Sequence, residues 1–203
     1  MHDFEKMSLQ ELLAMVMGIG PGNEVVKELS SKYSTAKDLY HAPVDELQLI
    51  KGIGNRKAML LKAVLELGLR IATPPRDNGT AITCPSDALA LLQPRMQLLD
   101  REHFVVVSLT TKNRVIAIET ASIGSLNSSI VHPREIFKNA IRLSAASVVL
   151  SHNHPSGDPT PSQEDLEITS RLVEAGKLIG IEVLDHLIIG NGSFCSMKER
   201  GLI

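Results

Sequence analysis

Apolar residues recur at three- and four-residue spacing in the first third of this chain, then give way to short dense runs. "SLQELLAMVM" places Ser8 ahead of an apolar stripe with Glu11 three positions on, the pattern of a capping box. "RKAMLLKAVLELGLR" combines strong helix formers with the same spacing, so residues 1–72 read as helical throughout. "ATPPRDNGTAITCP", Ala72 to Pro85, holds three prolines, a glycine and little periodicity. It reads as a boundary. The expected division is an all-α domain at 1–72, a linker at 73–81 and a second domain at 82–203.

Beyond the boundary, "HFVVVSL" (His103–Leu109) and "RVIAIETASI" (Arg114–Ile123) are rich in β-branched residues and joined by the turn-like "TTKN". They predict two paired strands. "HPREIFKNAIRLSA" predicts a helix with Pro133 in its first turn. "ASVVLSH" (Ala146–His152) fits a buried central strand. "SQEDLEITSRLVEAGKLIG" predicts a helix ending at Gly180, and "IEVLDHLIIG" a further strand. The whole predicts an α+β chain, with a mixed β-sheet and helices packed against it. A domain of about 120 residues buries a sufficient core without disulfides or metal staples.

Composition narrows the function classes. Of 203 residues, 43% are hydrophobic and 22% charged, ordinary for a soluble globular protein. No apolar run approaches the roughly 18 residues a membrane helix needs, and the N-terminus does not read as a signal or transit peptide. No membrane partner is therefore expected. Cys84 and Cys195 form no CxxC and read as spare thiols of a reducing cytoplasm. The formal charge is −2, and residues 1–72 carry nine basic and nine acidic side chains, so the chain as a whole is no polyanion binder. Aromatics make up 3% with no tryptophan, which argues against a base-stacking platform. Nothing fixes the oligomeric state.

Two segments echo each other: "GIGPGNEVVKEL" from Gly18 and "GIGNRKAMLLKA" from Gly52, an offset of 34. A G-h-G turn ahead of a helix exposes backbone N–H groups suited to a phosphate oxygen. In the second copy Gly52 and Gly54 are followed by Asn55, Arg56 and Lys57, favouring contact with a DNA backbone. In the first, Pro21 removes a donor and Glu24 repels phosphate, so it reads as a structural partner. Paired hairpins also serve as protein-docking modules, and the neutral charge of this domain leaves both uses open.

The densest chemistry is "SHNHPSGDPTPSQED", Ser151 to Asp165. On a strand His152 and His154 share a face, and Asp165 follows eleven residues later, after a proline-rich loop able to fold back. Two imidazoles and a carboxylate suit zinc, with a fourth position left for water. The competing reading is a capped turn, in which Ser162 starts a helix and an acid at its third position stabilises it. Both can hold together. Asp185–His186 within "VLDHLII" reads first as a hydrogen-bonded core pair and second as support for the ligands. "SLNSS" (Ser125–Ser129) is a loop that could line a groove.

The pattern H-x-H-P-S-G-x-P-x-P-S-x-x-D, standing here as His152, His154, Pro155, Ser156, Gly157, Pro159, Pro161, Ser162 and Asp165, resembles the zinc signature of the JAMM (MPN+/JAB) metalloproteases. With "HPREIF" upstream and "GIEVLDH" downstream it resembles the RadC branch across most of 82–203. "KGIGNRKA" is similar to the helix-hairpin-helix region that precedes this domain in that branch.

The resemblance implies a cytidine-deaminase-like JAMM domain after a helix-hairpin-helix (UvrC/RuvA-like) domain. It implies one catalytic Zn2+ on His152, His154 and Asp165, with Ser162 stabilising an oxyanion and Glu102 activating water; Glu119 is the rival. The activity implied is hydrolysis of an amide or isopeptide bond in a peptide or protein substrate, in a bacterial cytoplasm. The alternative is a DNA-repair or recombination factor that binds DNA through its second hairpin, its zinc domain accessory. A metal-free scaffold is disfavoured because the ligand set is intact.

Overall fold

The computed structural model describes residues 4–72, 79–124 and 131–203, which form two compact units, Met1–Ala72 and Thr73–Ile203. The first unit contains α1 (Leu9–Met17), α2 (Glu24–Lys32), α3 (Ala36–His41), α4 (Val44–Gln48) and α5 (Asn55–Ala72). The expected capping box starts α1: the Ser8 N–H donates to Glu11 Oε2 at 2.8 Å and Ser8 Oγ accepts the Glu11 N–H at 3.3 Å. The first glycine of each G-I-G takes a left-handed conformation, φ 67° at Gly18 and 97° at Gly52. At Gly52 there is a second constraint, because a Cβ would lie 2.8 Å from Val25 Cγ2 of α2. The turn of the second hairpin thus rests on a helix of the first. Leu13, Val26, Leu29, Leu39, Leu47, Ile53 and Leu61 fill the core between them.

In the second unit α6 (Pro85–Met96), β1 (His103–Leu109), β2 (Val115–Ile123), α7 (Pro133–Arg142), β3 (Ser147–Asn153), α8 (Gln163–Ile179), β4 (Glu182–Ile189) and β5 (Phe194–Ser196) build a mixed sheet of order β2-β1-β3-β4-β5. β3 and β4 run parallel, so α8 crosses over between them; the other neighbours are antiparallel. Phe104, Val106, Val148 and Leu150 meet α7 and α8 on one face, while Val105, Val107 and Val149 meet α6 on the other. Coverage on both faces explains why β1 and β3 read as continuous apolar runs rather than alternating ones.

Three features depart from the sequence reading. α6 and β5 carry no predicted element: Pro94 interrupts the apolar pattern of α6, and β5 is three residues long. Of the expected linker, Gly79 to Ala81 join β2 instead, with the Gly79 N–H on Val115 O at 3.1 Å, the Val115 N–H on Thr80 O at 2.9 Å and Ala81 bridged to Arg114. The β3–β4 register slips once: Val148 pairs with Val183 but Val149 with Asp185, leaving Leu184 extra. Among the described residues no helix is long and apolar enough to cross a membrane.

Candidate metal centre

Strand alternation sets the first candidate ligand. Val148 and Leu150 of β3 face α8, and His152, two residues on, faces the same way at 0% exposure. β3 ends at Asn153, but the next N–H still donates to Ile189 O at 2.9 Å, which holds His154 beside it. α8 presents a buried stripe of Asp165, Ile168, Thr169, Leu172 and Gly176 to the sheet, so Asp165 enters the site from the first turn of that helix.

The loop between them is pressed against the end of β4. Gly157 has φ 88°, its carbonyl accepts the Asn191 N–H at 3.0 Å, and a Cβ on Gly190 would lie 2.2 Å from that same carbonyl. Only glycine at 190 admits this packing.

The three candidate ligand atoms converge. His152 Nε2 and His154 Nε2 stand 2.9 Å apart, with Asp165 Oδ1 3.2 Å from the first and Oδ2 3.5 Å from the second. One candidate atom from each residue falls within 4.8 Å of the others. His154 Nδ1 lies 2.7 Å from the main-chain carbonyl of Asp158. A carbonyl can only accept, so the ring proton sits on Nδ1 and the Nε2 lone pair points inward. Two imidazole nitrogens at that separation repel unless a proton or cation lies among them, and a carboxylate completes the set. These residues fit a zinc ion.

Their electrostatics follow. Burial pushes His152 below the ordinary histidine range, against the opposing pull of Asp165. The Asp165 carboxylate, which would accept from a protonated Nε2, raises His154, with burial opposing it. Burial alone would raise the Asp165 carboxyl, but the two imidazoles beside it, which pair with it when they carry a proton, and the Ser162 hydrogen bond outweigh that and hold the group well below the usual carboxylate range.

Ser162 caps α8 and also secures the ligand. Asp165 Oδ2 accepts the Ser162 N–H at 2.8 Å and its hydroxyl at 2.6 Å, while Ser162 Oγ accepts the Asp165 N–H at 3.1 Å. The capped-turn and metal-ligand readings describe one arrangement. Glu102, Ser162 and Asp165 line a cleft of about 480 Å³ together with His154, Pro155, Ser156 and Glu164. Sequence reading passed over Glu164. Glu119 lies mid-strand in β2, opposite Val106, and is not among those lining residues. Asn153, between the two histidines, accepts the His103 N–H at 2.8 Å and donates to Arg101 O at 2.9 Å, bracketing Glu102.

Asp185 and His186 are both buried and joined by one hydrogen bond, as a core pair would be, but their side chains diverge. The Asp185 carboxylate accepts the Ser196 hydroxyl at 2.6 Å and the Lys198 N–H at 3.0 Å, and it reaches His186 only through that residue's main-chain N–H. The His186 ring faces α8 instead, its Nε2 2.8 Å from His152 Nδ1 and its Nδ1 2.6 Å from Thr169 Oγ1. Burial pushes His186 well below the histidine range. Strict alternation from Val183 would have sent Asp185 to that face; the extra residue at Leu184 inverts it.

In the second hairpin the Lys57 ammonium turns back on Gly52 O at 3.0 Å and Asn55 Oδ1 accepts from Gln48 at 3.2 Å, while Gly54 and Arg56 are exposed at the start of α5. Ser125–Ser129 lie outside the described residues.

A family model described as "RadC-like JAB domain" matches residues 82–202. A UPF0758 protein of Desulforamulus reducens is 52% identical over 197 residues, spanning 95% of this chain and 87% of the relative. UPF0758 proteins of Caldanaerobacter subterraneus and Moorella thermoacetica are 51% and 52% identical, covering 96% and 98% of this chain and 85% and 88% of their own.

Proposed function

The chain belongs to the RadC-like JAB family, and from that premise we propose that it is a zinc-dependent hydrolase of the JAMM type, acting on an amide or isopeptide bond of a peptide or protein. The observation that supports this most is the convergence of His152 Nε2, His154 Nε2 and the Asp165 carboxylate on one point at the edge of an open cleft. A zinc ion held there supplies Lewis acidity and a hydroxide available near neutral pH.

The chain's own residues do the rest. The Glu102 carboxylate takes a proton from the attacking water and returns it to the leaving amine. The Ser162 hydroxyl is a donor for negative charge developing on the substrate oxygen, once it turns from Asp165. Asn153 fixes the main chain on both sides of Glu102. Elemental analysis of protein purified without chelator tests the reading: stoichiometric zinc, absent from Asp165→Ala, is expected. Protein that never retains zinc overturns it. Glu102→Gln is expected to keep the metal, lose turnover and trap substrate for identification.

The helical unit carries a separate part of the proposal, DNA-backbone contact at the start of α5 through the N–H groups of Gly54 and Asn55 and the exposed Arg56. Filter binding against salt tests it; unaltered DNA binding after deletion of 1–72 removes the hairpins from that role.

A further inference from the structure

Behind His152, away from the cleft, a line of hydrogen bonds runs through side chains that the proposed reaction does not use. It begins at the main-chain carbonyl of Asp165, passes Thr169 Oγ1 at 2.6 Å, then His186 Nδ1 at 2.6 Å, and ends where His186 Nε2 meets His152 Nδ1 at 2.8 Å. Thr169, His186 and His152 are each 0% exposed, so solvent completes none of these bonds.

The direction of every bond follows from its first member. A carbonyl only accepts, so at 2.6 Å the Thr169 hydroxyl proton must lie on the Asp165 bond. That hydroxyl has no second proton, so toward His186 it accepts, and His186 Nδ1 carries the hydrogen. An imidazolium at a fully enclosed position, its two ring nitrogens met by a hydroxyl and a second imidazole, would carry a large desolvation cost. His186 is therefore neutral, with a lone pair on Nε2. It accepts from His152 Nδ1–H, and His152 is left with its lone pair on Nε2, the atom facing His154 and Asp165.

We propose that Thr169 and His186 are positioning residues, a one-way relay that sets the tautomer of His152 so that Nε2 presents a lone pair to the cation. The relay deepens the metal-binding reading above. Asp165 holds both ends of the same ring: its carboxylate stands beside Nε2, and its carbonyl governs Nδ1 through two intermediaries.

Back-bonding of a threonine hydroxyl to the carbonyl four residues earlier is common in helices and would need no partner. Here the same oxygen also meets His186, and the register slip at Leu184 is what delivers His186 to it. Phe104 fixes the ring planes, stacked on His152 at 6.2 Å and edge-on to His186 at 5.3 Å. His154 receives the same protonation pattern more directly, from the Asp158 carbonyl. The two ligands thus share a tautomer by different routes.

The test uses full-length protein with 15N-labelled histidine, freed of metal, at mildly alkaline pH. Long-range 1H–15N correlation spectra report which ring nitrogen of each histidine is protonated. Nδ1–H is expected for both His152 and His186; Nε2–H at either overturns the relay whether or not zinc ever binds. Thr169→Val keeps the shape and removes the hydroxyl. It is expected to mix the tautomers of His186 and His152 and weaken zinc, measured by chelator competition, by about 10- to 100-fold. Thr169→Ser is expected to restore both. Thr169→Val with an unchanged His152 tautomer and unchanged affinity refutes the proposal. If Thr169→Val fails to fold, the wild-type spectrum and Thr169→Ser decide it. Wild-type protein that shows the expected tautomers but binds no zinc leaves the relay standing and removes the hydrolase reading.

Discussion

Ser162 and Asp165 hold each other in a closed pair, in which the serine both donates to the aspartate carboxylate at 2.6 Å and accepts its main-chain N–H at 3.1 Å. The start of α8 and the third candidate ligand are therefore one structural unit. Ser162→Ala is expected to lower stability by about 1 kcal/mol, the usual value of an N-cap, and to weaken zinc as well. Asp165→Asn, whose side-chain oxygen still accepts from Ser162, is expected to keep most of the stability and lose the metal. Thermal denaturation with metal analysis separates the two effects. Equal zinc content in wild type and Asp165→Asn would count against the ligand assignment.

Asn153 is 1% exposed and satisfies two main-chain groups of the Arg101–His103 segment. Removing it leaves those groups without their partner, at roughly 1–3 kcal/mol. Asn153→Asp is expected to be worse than the loss of one bond, because a carboxylate would face the Arg101 carbonyl. Zinc content should survive in Asn153→Ala, since neither ligand contact is touched, while turnover falls as Glu102 loses its fixed position. Denaturant titration and metal analysis read the two arms.

Gly52 combines φ 97° with a 2.8 Å approach of a would-be Cβ to Val25. Gly52→Ala is expected to destabilise the helical unit by more than about 1 kcal/mol, beyond the ordinary gain from restricting a glycine. Val25→Ala in the same chain relieves the contact and leaves the backbone strain. The double variant should then lie above the sum of the singles, a coupling that distant sites do not show. Simple additivity would mean that only the dihedral matters.

Asp87 at the head of α6 accepts the Thr83 hydroxyl at 2.7 Å, the Thr83 N–H at 2.8 Å and the Cys84 N–H at 3.2 Å. Those bonds, the Thr83 hydroxyl first, lower its pKa to about 2. A depressed carboxyl stabilises the fold above its unfolded pKa of about 4, and that contribution is lost as pH falls through the folded value. The gap in denaturation midpoint between wild type and Asp87→Asn should therefore be full at neutral pH and shrink between about pH 4 and 2. A gap independent of pH would refute the assignment.

The candidate site was legible because it is local: one histidine on β3, a second just past its end, a proline-rich loop and an acid at a helix start lie within fifteen residues of chain, and the fold brings them together. β1 was legible to the residue, since both of its faces are buried and its run is unbroken. His186 was not, because its orientation depends on a register slip set by pairing with β3, which no periodicity in "EVLDHLII" discloses. α6 stayed hidden behind Pro94, and the clamp by Asn153 behind a separation of fifty residues from His103.

The surplus residue in β4 makes the bulge, rather than side-chain identity, the sensitive quantity there. Exchange of Leu184 for another apolar residue changes little, since it is only partly buried against the α6 side. A strand that kept every residue but paired without the bulge would turn everything downstream by half a turn, carrying the imidazole of His186 to the opposite side of the sheet and exchanging it for a carboxylate. The strand would still be apolar and still pair, so such a protein could fold while its metal centre is scrambled. Loss of Leu184 alone, by contrast, removes the bulge and leaves the same residues paired with β3, so His186 keeps its place.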